Sequence, residues 1–152
     1  MMPRKEHPVV LVAEDDAATR HALFTRLSQA GFEVVTAADG DSAISLLKAR
    51  HTDAAVLDVN MPATDGFGVC EFIRRDRTCR DIPVVFLTGA ETGLLRDHLG
   101  RLSQCVGGDL HLTKPYDGKL LTAMLWDAIG KRGAGPARRA PEVIEPAPAP
   151  PS

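Results

Sequence analysis

A chain of 152 residues, 44% hydrophobic and 25% charged, is long enough for one well-cored domain and too short for two ordinary ones. Its formal net charge of -2 gives no basic footprint for bulk nucleic-acid binding, so no nucleic-acid partner is expected. No apolar run nears the roughly 20 residues of a membrane-spanning helix, and no secretory core precedes the first strand pattern, so neither span nor export signal is expected.

Three cysteines, Cys70, Cys79 and Cys105, are odd in number and far apart, which suits neither a disulfide framework nor a zinc site. Cys70 falls inside a helical pattern, where a small buried hydrophobe is expected. Reduced thiols without an export signal point to the cytoplasm.

After a charged lead-in at residues 1–7, the chain alternates between two periodicities. The run Val9-Val10-Leu11-Val12 reads as a strand. Ala22, Leu23, Leu27 and Ala30 then share one helical face, with Gly31 as a stop signal. Val34-Val35 marks a second strand, followed by a helix through Ala43, Ile44, Leu46 and Leu47 that Asp39 or Asp41 opens. Ala54-Ala55-Val56-Leu57 is the third strand, and Val69, Phe72 and Ile73 mark the third helix. Val84-Val85-Phe86-Leu87 is the fourth strand, with Leu95, Leu99 and Leu102 at helical spacing behind it. The weaker Leu110-His111-Leu112 is the fifth, before a helix through Leu121, Met124, Leu125 and Ala128.

Continuous apolar strands suggest burial on both faces, as in parallel sheets. Five strand–helix alternations predict a doubly wound α/β sheet with right-handed crossovers, spanning residues 8–130. Residues 131–152 differ: six of the eleven prolines lie beyond Gly135, and a disordered Pro/Ala-rich tail is expected. Val143-Ile144 is its one candidate docking element.

Ligands of open α/β sheets sit beyond the carboxyl ends of the strands. Those positions hold Glu14, Asp15 and Asp16 after the first strand, Asp58 after the third, Thr88 after the fourth, and Lys114-Pro115 after the fifth. Clustered carboxylates repel one another unless a cation or proton shares the site. An all-oxygen set with few carboxylates suits Mg²⁺, which also takes phosphate oxygens. Thr88 can donate to an anionic oxygen and Lys114 can pair with it. A cation on one side and a lysine on the other meet the needs of a phosphoryl group in transfer, and a carboxylate can accept that group. Taken singly, Asp15 or Asp16 could be a helix cap, Thr88-Gly89 a turn, and Lys114 a solvated lysine.

Four motifs carry a resemblance to the receiver domains of two-component response regulators, in order over roughly residues 8–130. They are Leu11-Val12-Ala13-Glu14-Asp15-Asp16, Val56-Leu57-Asp58-Val59-Asn60-Met61-Pro62-Ala63-Thr64-Asp65-Gly66, Val85-Phe86-Leu87-Thr88-Gly89, and Leu112-Thr113-Lys114-Pro115-Tyr116. The resemblance implies a flavodoxin-like (βα)5 fold with sheet order 2-1-3-4-5. It implies that Glu14, Asp15, Asp58 and the Asn60 backbone carbonyl hold Mg²⁺. It makes Asp58 the acceptor of a phosphoryl group from a histidine kinase or histidine phosphotransfer protein. Lys114 would bind a phosphoryl oxygen, and Thr88 would rotate inward to bond another. The signal would then reach an output protein through the face made by the fourth helix, fifth strand and fifth helix. A cis Lys114–Pro115 peptide is also implied.

The sequence departs from the family pattern at His111, where many receivers carry a Tyr or Phe coupled to the switch threonine. The stretch from Thr88 to Lys114 is also longer than usual, by about one helical turn of roughly 3.6 residues. The reading reached is a single-domain response regulator, a phosphorylation switch with no ordinary enzymatic turnover. One alternative is a receiver-fold binding or scaffold module that works without phosphorylation. Another is a phosphohydrolase of the haloacid dehalogenase type, but that chemistry needs a second Asp where Asn60 stands.

Overall fold

A computed structural model describes residues 7–89 and 110–133. The element order is β1 (Val9–Ala13), α1 (Ala17–Gln29), β2 (Glu33–Ala37), α2 (Gly40–Ala49), β3 (Ala54–Asp58), α3 (Gly66–Arg75), β4 (Val84–Gly89), β5 (Leu110–Lys114) and α4 (Gly118–Gly133). The fourth helical pattern of the sequence, through Leu95 to Leu102, and residues 134–152 of the Pro/Ala-rich tail lie outside the described residues; residues 131–133, assigned to that tail from the sequence, belong to the last helix. The helix of the fifth pattern is therefore α4.

All five strands run parallel in the order β2-β1-β3-β4-β5. Alternation along each strand sorts the core into two layers. Leu11 and Ala13 of β1, Ala55 and Leu57 of β3, and Val84 and Phe86 of β4 pack under α2 and α3, through Ala43, Leu47, Val69, Cys70 and Ile73. Val10, Val12, Ala54, Val56, Val85 and Leu87 face the other way, under Leu23 and Leu27 of α1 and Leu121 and Leu125 of α4. Both faces of the sheet are thus covered, which is what a continuous apolar strand requires.

The edges depart from that expectation. β1 and β3 are buried at every position, whereas β2 exposes Glu33 and Thr36, and β5 exposes His111. An edge strand has one neighbour only, so its side chains meet less of the covering layers. Ala22 departs too: it is exposed, and the buried stripe of α1 is Leu23 and Leu27, four residues apart.

Helix starts follow side-chain caps. The Asp16, Asp39 and Asp65 carboxylates accept from the N–H groups of Thr19, Ser42 and Gly68, and so open α1, α2 and α3. Asp39, not Asp41, opens α2. Gly31 ends α1 at φ 102, the left-handed conformation glycine tolerates best. Among the described residues no helix is long and apolar enough to cross a membrane.

Candidate functional site

The carboxyl ends of β1, β3, β4 and β5 bring the predicted residues to one edge. Glu14 follows β1 and is buried; its Oε2 accepts from the Asp16 N–H at 3.1 Å. Asp58 closes β3, is also buried, and its Oδ1 accepts from the Asn60 N–H at 3.2 Å. Asp15 is exposed beside them. One carboxylate oxygen from each of Glu14, Asp15 and Asp58 lies within 4.8 Å of the others.

Lys114, at the end of β5, reaches across to this group. Its Nζ lies 3.2 Å from Glu14 Oε1 and 3.6 Å from Asp58 Oδ2. Burial comes first in pushing the Asp58 carboxyl up to about 7, the Glu14 charge adds to it, and Lys114 pulls the other way. The two buried carboxylates therefore face one ammonium group, and a further positive charge would be favoured there.

Thr88 is the next-to-last residue of β4, beside Asp58 in the sheet: Asp58 pairs with Leu87, and Thr88 with Thr113. It is buried, and its Oγ1 donates to the Leu112 carbonyl at 3.5 Å. At that length the bond holds the hydroxyl weakly. His111 pairs with Phe86 in the register, on the sheet face that also carries Thr88, and is exposed. The Lys114–Pro115 peptide is cis.

Asp16 does not join the cluster. Thr19 donates to it through both side chain and backbone, at 2.7 and 2.9 Å, and these bonds hold its carboxyl below the usual range. It is the cap of α1, the plainer of its two sequence readings.

Several residues at the site are given no role of their own in the sequence reading. Tyr116, just past the cis bond, is half-buried; burial, then the charges of Glu14 and Asp58, push its phenol up to about 12. Arg20 Nη1 donates to the carbonyls of Glu14 and Asp15 at 2.9 and 3.4 Å. Gly66 brings α3 against β3: a Cβ there would stand 2.5 Å from the Asp58 carbonyl oxygen. Gly40 lies as tightly under Thr64, whose hydroxyl donates to Asp41 Oδ1 at 2.7 Å. A long arginine at the first turn of α1, able to reach back to the preceding loop, was the one cue available for Arg20.

The donor set fits magnesium. It is all oxygen, it is three carboxylates at close quarters with one of them open to solvent, and its buried members carry more negative charge than Lys114 offsets.

Residues 10–125 match the family model of the response regulator receiver domain. The chain is 42% identical over 122 residues to a probable transcriptional regulator, ycf27, of Galdieria sulphuraria, covering 80% of this chain and 44% of that one. It is 37% identical over 126 residues to the transcriptional regulatory protein AfsQ1 of Streptomyces coelicolor, covering 83% of this chain and 52% of that one. The chain therefore spans about half the length of these relatives. Among solved structures, the receiver domain of the sensor histidine kinase PA1611 of Pseudomonas aeruginosa, with a magnesium ion in its active-site cleft, superposes with a TM-score of 0.72 at 26% identity. That likeness covers 82% of this chain and 98% of that one. The chemotaxis protein CheY4 of Vibrio cholerae gives a TM-score of 0.71 at 28% identity, covering 80% and 98%. Fold and carboxylate cluster together define a flavodoxin-like α/β module with an acidic site at the carboxyl ends of its strands. The chain belongs to the response regulator receiver domain family.

Proposed function

We propose that this chain is a phosphorylation-operated switch that accepts a phosphoryl group on Asp58 and signals through protein–protein contact. The observation that carries the reading is Lys114 within 3.2 Å of Glu14 and 3.6 Å of Asp58, two carboxylates that gather with Asp15 within 4.8 Å. Glu14, Asp15, Asp58 and the Asn60 carbonyl would hold Mg²⁺, which supplies charge neutralisation to the phosphoryl oxygens.

The donor is a phosphohistidine on a kinase or phosphotransfer protein. An Asp58 oxygen attacks phosphorus, the P–O bond forms as the P–N bond breaks, and the electron pair leaves with the imidazole. Lys114 pairs with a phosphoryl oxygen as a point charge. Thr88 gives up its 3.5 Å bond to Leu112 and donates to another. The added charge thus biases two arrangements of the strand ends. Chemistry of this kind is self-phosphorylation and hydrolysis at one site, without turnover of an outside substrate.

The test is intact-protein mass after incubation with Mg²⁺ and acetyl phosphate, beside Asp58→Ala. A single phosphoryl adduct that is absent from the variant, and absent in chelator, supports the reading. A folded wild type that takes up no phosphoryl group would favour a binding module that works without phosphorylation.

A second reading concerns the output. The relatives are named as transcriptional regulators, one of them, RpaA of Synechocystis, as DNA-binding, and this chain spans about half their length. The switch would then govern transcription through a DNA-binding partner or segment, although this chain's own charge does not favour DNA. Pull-down with the phosphorylated form as bait separates this from a motility- or enzyme-directed output. We place the protein in the cytoplasm, where a histidine kinase presents its phosphohistidine.

A further inference from the structure

Glu14 and Asp15 differ in how they are held. The Glu14 carboxylate is bonded by the Asp16 N–H and by Lys114. Among the described residues, none hydrogen-bonds the Asp15 carboxylate, which is exposed. Its direction is set through its backbone, and that backbone is bonded by a side chain from the next helix. Arg20 Nη1 donates to the Glu14 carbonyl at 2.9 Å and to the Asp15 carbonyl at 3.4 Å. The Asp16 carbonyl accepts from the Arg20 N–H at 2.8 Å, so the arginine is anchored at both ends of its reach.

We infer that Arg20 is a positioning residue for the divalent-cation site, fixing the peptide planes from which Glu14 and Asp15 project. The inference rests on the Mg²⁺ site proposed above. A guanidinium suits this role because it is planar, always charged, and presents several N–H donors in a fixed fork. Partners that orient the ligands of a metal are often worth as much to affinity as weak ligands are.

The sign of the effect separates positioning from simple charge. Arg20 is a cation beside the β1–α1 loop, and a cation repels an arriving dication. If charge were all that Arg20 supplied, its removal would tighten Mg²⁺ binding. If it positions the carboxylates, removal loosens binding in spite of the repulsion relieved.

The experiment is calorimetric titration of the metal-free full chain with MgCl₂ at low ionic strength. It compares wild type, Arg20→Met and, as a control for losing an arginine from the same helix, Arg26→Met. We expect Arg20→Met to lower Mg²⁺ affinity about tenfold, the low end for such partners, and Arg26→Met to leave it near wild type. Equal or tighter binding by a folded Arg20→Met overturns the positioning role and leaves the Mg²⁺ site standing. Wild type that binds no Mg²⁺ overturns both. Should Arg20→Met fail to fold, Arg20→Lys carries the test, since it keeps the charge and loses the fork. Weakened binding then supports positioning, and wild-type affinity overturns it.

Discussion

Lys114 and Glu14 are 100 positions apart, yet their Nζ and Oε1 atoms lie 3.2 Å from each other. The sheet order explains it: β1 and β5 lie on opposite sides of β3 and β4, and a lysine spans the gap over Asp58, 3.6 Å from its Oδ2. A single ammonium thus serves two buried carboxylates. Where one charge must answer two, the site is stable to the extent that a proton or a metal ion supplies the rest.

From this follows a pH dependence with a definite sign. Asp58 holds its proton up to about 7 in the folded chain, against an ordinary 3.8. Between those values the folded state binds more protons than the unfolded one, so stability falls as pH rises. We expect metal-free wild type to lose melting temperature from pH 5 to pH 8. Asp58→Asn should flatten that slope and melt several degrees above wild type at pH 8, with little difference at pH 5. Saturating Mg²⁺ should recover the loss in wild type only. A wild-type profile that is flat over this range without metal would refute the assignment.

Lys114→Met leaves Glu14 and Asp58 facing each other with no cation. At pH 8 the loss should be about 1–2 kcal/mol, below the range for a fully buried pair because the lysine side chain is 31% exposed. At pH 5 a protonated Asp58 removes most of the repulsion, and the loss should shrink. Urea unfolding followed by Trp126 reads this directly. The chain has one tryptophan, stacked on Phe32 at 4.6 Å, with its Nε1–H donating to the Ala30 carbonyl at 3.1 Å.

These residues were legible in the sequence because their spacing survives folding. Strands buried on both faces read as continuous apolar runs, and a parallel sheet carries whatever follows each strand to one edge. So Glu14, Asp58, Thr88 and Lys114 could be placed together before any coordinates. What depends on direction could not be. That Asp15 is exposed while Glu14 is buried, or that Asp16 caps α1, turns on loop dihedrals that residue types do not determine. Tyr116 and Arg20 act through reach across elements, and Gly40 and Gly66 through close backbone approach, neither of which leaves a periodic signal. His111 stands where the family pattern has a Tyr or Phe; its exposure is a property of the edge strand, which residue type alone does not give.

Ala63 sits at φ 64 in the loop between β3 and α3, in the left-handed region. A side chain there costs about 1–2 kcal/mol, part of which glycine would return to chain entropy. Ala63→Gly should therefore raise stability by about 0.5–1 kcal/mol, and Ala63→Val should lower it. The urea midpoint from Trp126 fluorescence decides, and a destabilised glycine variant would show that the loop draws more from the methyl group than from relief of its backbone.

Gly66 and Gly130 both lie in helices, and an added methyl group should act in opposite directions at the two. At Gly66 a Cβ would stand 2.5 Å from the Asp58 carbonyl oxygen and 3.1 Å from Val59 Cα, both backbone atoms that cannot swing aside. Gly66→Ala should cost about 1–3 kcal/mol. Because the clash is with the backbone of Asp58 itself, it should also weaken Mg²⁺ binding and, on the proposed function, slow uptake of phosphoryl from acetyl phosphate. At Gly130, exposed on α4, nothing stands within 4 Å of the added atom. Gly130→Ala should stabilise by about 0.5–1 kcal/mol through lower unfolded-state entropy, with Mg²⁺ affinity unchanged. Thermal melts beside calorimetric Mg²⁺ titrations separate the outcomes. If Gly66→Ala lost stability and kept wild-type Mg²⁺ affinity, the link between the start of α3 and the carboxylate that closes β3 would be broken, and α3 would serve as core cover alone.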